Sequence, residues 1–120
     1  MHKIEERPWG FFSVLYEGVN FKVKTLIIYP GERLSDQKHK YRKEHWTVVQ
    51  GSGIVYREHR PHYVLGSAAT AGNCVQIEKE QWHSVENVGD DDLIIVEVQI
   101  GSYLEEDDIE RRADKYGRCD

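Results

Sequence analysis

Short stretches rich in β-branched and aromatic residues alternate with turn-forming residues from about position 11 to position 100. Such runs, bounded by glycine, proline, asparagine and aspartate, are typical of β-strands. No apolar pattern with the 3.6-residue period of a helix occurs in this part of the chain. The predicted strands are residues 11–16, 21–29, 45–50, 54–58, 62–65, 74–77, 82–85 and 93–100.

The turn signals support the same interpretation. Glu17-Gly18-Val19-Asn20 separates the first two predicted strands, and Pro30-Gly31 ends the second. Gly51-Ser52-Gly53 predicts a tight hairpin between two strands. The charged residues 103–112 predict a short C-terminal helical turn. Many short strands with regular turns indicate an all-β sandwich or small barrel.

Composition limits the class of protein. The 120 residues fit a single domain over positions 1–120, and 39% apolar residues are enough for one core. A net charge of -5 argues against nucleic acid as a partner, since that binding needs clustered Lys and Arg. No apolar run approaches the roughly 18 residues of a membrane span, so no membrane partner is expected.

The expected location is the cytoplasm. The first residues contain no apolar stretch of the kind a secretory signal needs. Two cysteines, Cys74 and Cys119, cannot form a disulfide framework, and we expect both to be free thiols in a reducing compartment.

Four side chains that are far apart in sequence have the chemistry of metal ligands. Alternate residues of a strand point to one face, so Gln37 and His39 face together if that stretch is extended. Glu44 opens a strand with Trp46 on its own face, and His83 lies in a later strand. Two imidazoles, one carboxylate and one amide oxygen suit Zn²⁺, Fe²⁺, Mn²⁺, Co²⁺ or Ni²⁺.

The spacing of these residues is more specific than their types. Five residues separate Gly31 from Gln37, one separates Gln37 from His39, four precede Glu44 and six precede Gly51. A second set with regular spacing consists of Gly72, Glu78, Glu80, His83 and Asn87. The two sets resemble the cupin motifs G-x5-H-x-H-x(3,4)-E-x6-G and G-x5-P-x-G-x2-H-x3-N. Gln37 stands in place of the first His, and Glu78 and Glu80 in place of Pro and Gly.

Within the cupin superfamily, the chain resembles the type II mannose-6-phosphate isomerases over nearly its whole length. In many members this cupin is the C-terminal part of a chain that also carries a mannose-1-phosphate guanylyltransferase domain. Where the family usually reads Gln-Lys-His-His-His-Arg, this chain has Lys40-Tyr41 after His39. The matching segments are Arg7-Pro8-Trp9-Gly10, Pro30-Gly31-Glu32-Arg33-Leu34-Ser35, Gln37-Lys38-His39, Arg42, Glu44-His45-Trp46, Gly101-Ser102-Tyr103-Leu104, Glu106-Asp107-Asp108-Ile109, Arg111, Asp114 and Tyr116-Gly117-Arg118.

The resemblance implies a double-stranded β-helix, or jelly-roll barrel, that holds one divalent metal and pairs as a homodimer. The related type I isomerases hold zinc with a Gln-x-His pair, a Glu and a His. This supports Gln37, His39, Glu44 and His83 as the ligands and Zn as the metal, with Mn, Fe, Co and Ni as alternatives.

The implied reaction interconverts mannose 6-phosphate and fructose 6-phosphate through an enediol, in the supply of GDP-mannose. It needs a Lewis-acidic metal, a base for the carbon-bound proton and a cation for the phosphate. Arg42 and Arg111 are the phosphate candidates, and an ion pair is the alternative role for each. Glu97, Glu80 or a metal-bound hydroxide could be the base. Alternative functions are a non-catalytic metal- and sugar-binding cupin, or a metal-dependent cupin enzyme with another small substrate.

Overall fold

The computed structural model describes residues 3–113, which form eleven β-strands in two antiparallel sheets and contain no helix. The strands are β1 (Ile4–Arg7), β2 (Gly10–Glu17), β3 (Phe21–Ile28), β4 (Asp36–Lys38), β5 (Arg42–Gln50), β6 (Ser52–Arg60), β7 (Tyr63–Thr70), β8 (Cys74–Ile77), β9 (His83–Asn87), β10 (Leu93–Gly101) and β11 (Glu110–Ala113). The predicted all-β class is confirmed.

The two sheets differ in size and in strand order. The larger has the order β1-β2-β3-β10-β5-β8, and the smaller has the order β11-β4-β9-β6-β7. Burial of apolar side chains provides the main favourable free energy for holding such sheets together. The core consists of Trp9, Phe12, Leu26, Ile28, Leu34, Trp46, Val48, Val55, Ala69, Val75, Ile77, Val85, Leu93 and Ile95.

Strand β5 shows how the sequence pattern places polar groups inside the barrel. Arg42, Glu44, Trp46 and Val48 are buried, whereas the alternate residue His45 is exposed. This follows the two-residue period of a strand. The inner face of β5 is therefore apolar at one end and charged at the other, and the charged end belongs to the site described below.

The predicted C-terminal helical turn is wrong. A single turn closes from the N–H of Asp108 to the carbonyl of Glu105 at 3.2 Å, and the chain then extends into β11. Strand β11 pairs with β4, with Arg111 opposite Gln37. Arg112 holds this segment extended by ion pairs to Asp36 and Glu58 at 2.6 and 3.0 Å.

The predicted hairpin at Gly51 is also wrong. Strands β5 and β6 do not pair with each other but lie in different sheets, so Gly51 marks a corner between the sheets. Its φ is 94°, and a Cβ there would lie 2.8 Å from the carbonyl oxygen of Asp92. Only glycine tolerates both conditions at low cost.

Several residues named from the sequence lie near the C-terminus, after residue 113. Cys119 and the matching residues Asp114 and Tyr116-Gly117-Arg118 lie outside the described residues. Within residues 3–113, Cys74 is a free thiol. No helix in that range has the length and apolar character needed to cross a membrane.

Candidate active site

Two histidines and one glutamate from separate segments meet in the interior. His39 follows β4, Glu44 lies in β5 and His83 begins β9, and one potential ligand atom from each lies within 4.8 Å of the others. The Nε2 atoms of His39 and His83 are 3.4 and 3.7 Å from the two carboxylate oxygens of Glu44. All three residues are buried. The structure therefore brings together three of the four predicted ligands.

Hydrogen bonds fix the orientation of both imidazoles. His39 Nδ1 donates to the carbonyl oxygen of Asp108 at 2.7 Å, and His83 Nδ1 donates to that of Gln81 at 2.9 Å. Both Nε2 atoms thus face Glu44 as acceptors, which is the arrangement of metal-binding histidines; that of His39 accepts a hydrogen bond from Arg42 Nη2 at 3.3 Å. Among the described residues, His83 Nε2 is buried without a hydrogen-bond partner. These three side chains therefore fit a divalent cation.

The electrostatics of the site leave its donors in the protonation states that bind metals. Burial lowers the pKa of His39 to about 4 and also lowers the pKa of His83, so both are neutral near pH 7. Burial alone would raise the pKa of Glu44, but in the acid range, where the histidines are protonated, the charges of His39, Arg42 and His83 hold it well below the usual carboxyl range. A carboxylate with two neutral imidazoles needs no proton loss before a metal binds.

Gln37, the fourth predicted ligand, lies near the site, and Ser35 is the residue that orients its side chain. It lines the same cavity as His39, and its backbone pairs with His83 across β4 and β9. Its Oε1 accepts a hydrogen bond from Ser35 Oγ at 3.0 Å. An amide oxygen has a second lone pair, so this contact leaves Gln37 able to ligate.

A cavity of about 60 Å³ lies next to the His39 imidazole. The three predicted catalytic residues Arg42, Glu97 and Arg111 all line it. Arg42 Nε donates to Glu44 Oε2 at 2.8 Å, so the ion pair expected as its alternative role is present, and its Nη2 donates to His39 Nε2 at 3.3 Å. Among residues 3–113, Arg42 Nη1 and Arg111 Nε are buried without hydrogen-bond partners. The two arginines thus keep donors free beside the cavity.

The alternative role of Arg111, an ion pair with Asp107 or Asp108, does not occur. Asp107 accepts a hydrogen bond from the Tyr103 hydroxyl at 2.6 Å. Asp108 accepts two, from the backbone N–H groups of Lys40 and Tyr41, at 2.9 and 3.0 Å. The residues that depart from the family pattern, Lys40 and Tyr41, therefore hold the C-terminal segment through their backbones and do not line the cavity.

Glu97 and Glu80, two of the three candidate bases, differ in their burial and in their distance from the cavity lining. Glu97 is buried in β10, and its Oε2 accepts a hydrogen bond from Trp46 Nε1 at 3.0 Å. Burial, together with the charge of Glu44, raises the pKa of Glu97 to about 8. Glu80, in contrast, is exposed and lines a separate surface groove with Lys38 and Trp82. The geometry favours Glu97.

Sequence reasoning gave no role to Lys24 and Glu106, which also line the cavity, as does Gln99 on the strand face of Glu97. Lys24 is only 3% exposed, and its Nζ pairs with Glu106 at 2.5 Å. A signal for Lys24 was present, because it has the same strand parity as the apolar residues Leu26 and Ile28. Strand alternation therefore places a lysine on the buried face of β3.

Two antiparallel sheets that enclose a His–Glu–His cluster define a cupin, a double-stranded β-helix with a candidate metal site. Solved structures share this fold. The capsular polysaccharide assembling protein CapF from Staphylococcus aureus superposes with a TM-score of 0.83 at 18% identity, over 95% of this chain and 35% of that one. For the oxalate decarboxylase of Lactobacillus farciminis the TM-score is 0.80 at 20% identity, over 92% and 33% of the two chains.

The chain belongs to the family described as "Mannose-6-phosphate isomerase C-terminal", which matches residues 1–114. It is 39% identical over 120 residues to "Mannose-1-phosphate guanylyltransferase ManC" of Salmonella typhimurium, covering 98% of this chain and 24% of that protein. It is 42% identical over 112 residues to "Alginate biosynthesis protein AlgA" of Pseudomonas aeruginosa, covering 93% and 22%. The chain thus spans about a quarter of the length of these relatives.

Proposed function

We propose that this domain is a metal-dependent sugar-phosphate isomerase that interconverts mannose 6-phosphate and fructose 6-phosphate. The observation that carries the proposal is the orphaned His83 Nε2 in a buried His39–Glu44–His83 cluster, beside a cavity lined by Glu97 and two arginines. Membership of the isomerase C-terminal family supports the same reaction class.

The ligands proposed for the metal are His39, Glu44 and His83, with Gln37 as the fourth. When bound, a divalent cation would supply Lewis acidity at the substrate oxygens, and zinc is the leading candidate over Mn, Fe, Co and Ni. The protein holds the donors in place through the Nδ1 hydrogen bonds of the two histidines.

Glu97 is the proposed acid–base group. An aldose–ketose isomerisation moves one proton between adjacent carbons, so the group must both accept and return it. A carboxyl whose pKa is raised to about 8 exchanges protons readily near neutral pH. Gln99 Nε2 donates to its Oε1 at 2.7 Å and Trp46 Nε1 to its Oε2, so its orientation is fixed.

Arg42 and Arg111 are the proposed phosphate ligands. A guanidinium remains charged and binds phosphate oxygens through its planar fork. Each arginine has one buried nitrogen without a partner among the described residues, so phosphate contacts would satisfy otherwise unpaired donors. The names of the relatives, a mannose-1-phosphate guanylyltransferase and an alginate biosynthesis protein, support a place in the supply of mannose phosphates for GDP-mannose and polysaccharides. The cytoplasm is the location proposed for this activity.

The test is conversion of mannose 6-phosphate to fructose 6-phosphate by the purified protein loaded with one equivalent of zinc. We expect turnover by the wild type and its loss in His83→Ala. His45→Ala is the matched control, because His45 is an exposed histidine on the outer face of β5 and should leave the rate unchanged. Full metal occupancy without turnover would favour the non-catalytic binding cupin, and turnover of another small molecule would favour the third alternative.

A further inference from the structure

Lys24 is a buried cation whose one carboxylate neighbour within salt-bridge distance, among the described residues, is Glu106. The Nζ atom donates to Glu106 Oε2 at 2.5 Å and lies 4.2 Å from the centre of the Phe12 ring. The Lys24 side chain is 3% exposed, whereas that of Glu106 is 49% exposed. Glu106 thus stands between Lys24 and solvent at the edge of the cavity.

Glu106 belongs to a segment that closes one side of the cavity. We call residues 103–109 the C-terminal strap. Lys22 Nζ donates to the carbonyl oxygen of Leu104 at 2.9 Å, and Asp108 fixes the other end through the backbone of Lys40 and Tyr41. Glu106 and Ile109 of the strap line the cavity.

The cavity is rich in cations and small. Arg7, Lys24, Arg42 and Arg111 line it, and two of them retain unpaired buried nitrogens among the described residues. Its volume of about 60 Å³ is well below the ~300–1,000 Å³ typical of ligand pockets. A phosphorylated sugar therefore needs additional room, and the half-exposed Glu106 side chain is the cavity group best able to move outward.

We propose that Lys24 is a phosphate-binding residue and that the Glu106 carboxylate takes the place of the phosphate on Lys24 until substrate displaces it. The proposal rests on the isomerase function for the identity of the sugar, but not for the anion chemistry. A phosphate carries up to two negative charges, whereas the Glu106 carboxylate carries one. Phosphate therefore interacts more strongly with the Lys24 ammonium group. A sugar without phosphate offers nothing to replace Glu106, so the ion pair selects for phosphorylated substrates.

The test is calorimetric titration of the full chain with inorganic phosphate, at equal metal content in every variant. Glu106→Gln removes the competing charge and should bind phosphate about tenfold more tightly than the wild type. Lys24→Met should weaken phosphate binding about tenfold or more. Lys43→Met is the matched control, because Lys43 lies on the outer face of β5 and does not line the cavity, and it should bind phosphate as the wild type does.

Each result has a definite consequence. If Glu106→Gln binds phosphate no more tightly than the wild type, or if Lys43→Met weakens binding as much as Lys24→Met, the proposal is overturned. Glu106→Gln alters a half-exposed side chain, so this arm does not depend on the folding of the Lys24 variant. The expected phosphate affinities without isomerase turnover would overturn only the proposed function. If the protein turns over mannose 6-phosphate but Glu106→Gln and the wild type bind phosphate with equal affinity, only this inference is overturned.

Discussion

Glu44 and Glu97 accept hydrogen bonds from one and the same donor, the indole N–H of Trp46, at 3.0 Å each. Two buried carboxyl groups in such proximity cannot both ionise at low cost. Glu44 is the one that ionises, because the charges of protonated His39 and of Arg42, whose Nε contacts Glu44 at 2.8 Å, stabilise its carboxylate. The pKa of Glu44 is consequently lowered, and that of Glu97 is raised to about 8. One carboxyl is therefore an anion near neutral pH, whereas the other keeps its proton, and the proposed function uses this difference.

The first prediction concerns stability against pH. Between pH 4.5 and about 8, native Glu97 retains a proton that the unfolded chain has released. The free energy of unfolding contributed by this group therefore falls as pH rises through that window, by at most about 1.4 kcal/mol per pH unit. Glu97→Gln cannot ionise, so its stability relative to the wild type should increase from pH 5 to pH 8 in urea unfolding. A difference between the two proteins that is constant with pH would contradict the raised pKa.

The second prediction ranks the metal ligands. His83→Ala should reduce the affinity for Zn²⁺ by about 100-fold or more, since even groups that only orient a ligand contribute about 10–100-fold. Gln37→Ala should reduce it less, because a neutral amide donates less charge and Gln37 Oε1 already accepts from Ser35. Competition with a chelator measures both affinities, and His45→Ala is again the control. Equal losses for His83→Ala and Gln37→Ala would argue against this ranking.

The third prediction concerns Asp108, which connects the strap to the candidate metal site. Its carboxylate accepts from the N–H groups of Lys40 and Tyr41, and its carbonyl oxygen accepts from His39 Nδ1. Asp108→Ala leaves two N–H groups unpaired and loosens His39, so Zn²⁺ affinity should drop about 10–100-fold. Asp108→Asn keeps one acceptor oxygen and should lose less. An unchanged affinity in Asp108→Ala would show that the strap does not orient His39.

The sequence was informative wherever a local period determines the structure. Alternation along β5 predicted that Glu44 and Trp46 share a face, and both are buried there. The sequence was uninformative where contacts with segments far away in the chain determine the local backbone structure. The segment 110–113 became a strand because β4 lies beside it, and Gly51 turns between sheets because Asp92 approaches its backbone.

The candidate site likewise has residues that the sequence could identify and residues that only long-range contacts reveal. Motif spacing identified His39, Glu44 and His83, since a cupin brings those positions together. Lys24 belongs to no motif. Its importance depends on Glu106, which is 82 residues away in sequence. Only the folded chain shows that the two side chains meet at the cavity.

The last prediction gives the expected homodimer a specific interface. Strand β7 is the outermost strand of its sheet, and all of its residues from Tyr63 to Thr70 are uncharged. Val64 in its first half is 49% exposed. An edge of this kind is open to pairing with another strand. Because the chain carries a net charge of -5, two copies that pair antiparallel along β7 avoid placing like charges opposite each other.

Val64→Lys should convert this dimer to a monomer in size-exclusion chromatography with light scattering, because a buried lysine on each copy would face an apolar partner. Val49→Lys is the matched control. Val49 is also 49% exposed, but it lies in β5, which is flanked by β10 and β8 and so offers no free edge. A dimer that survives Val64→Lys, or one that is lost equally in Val49→Lys, would place the interface elsewhere. A wild-type protein that is monomeric at micromolar concentration would refute the dimer itself.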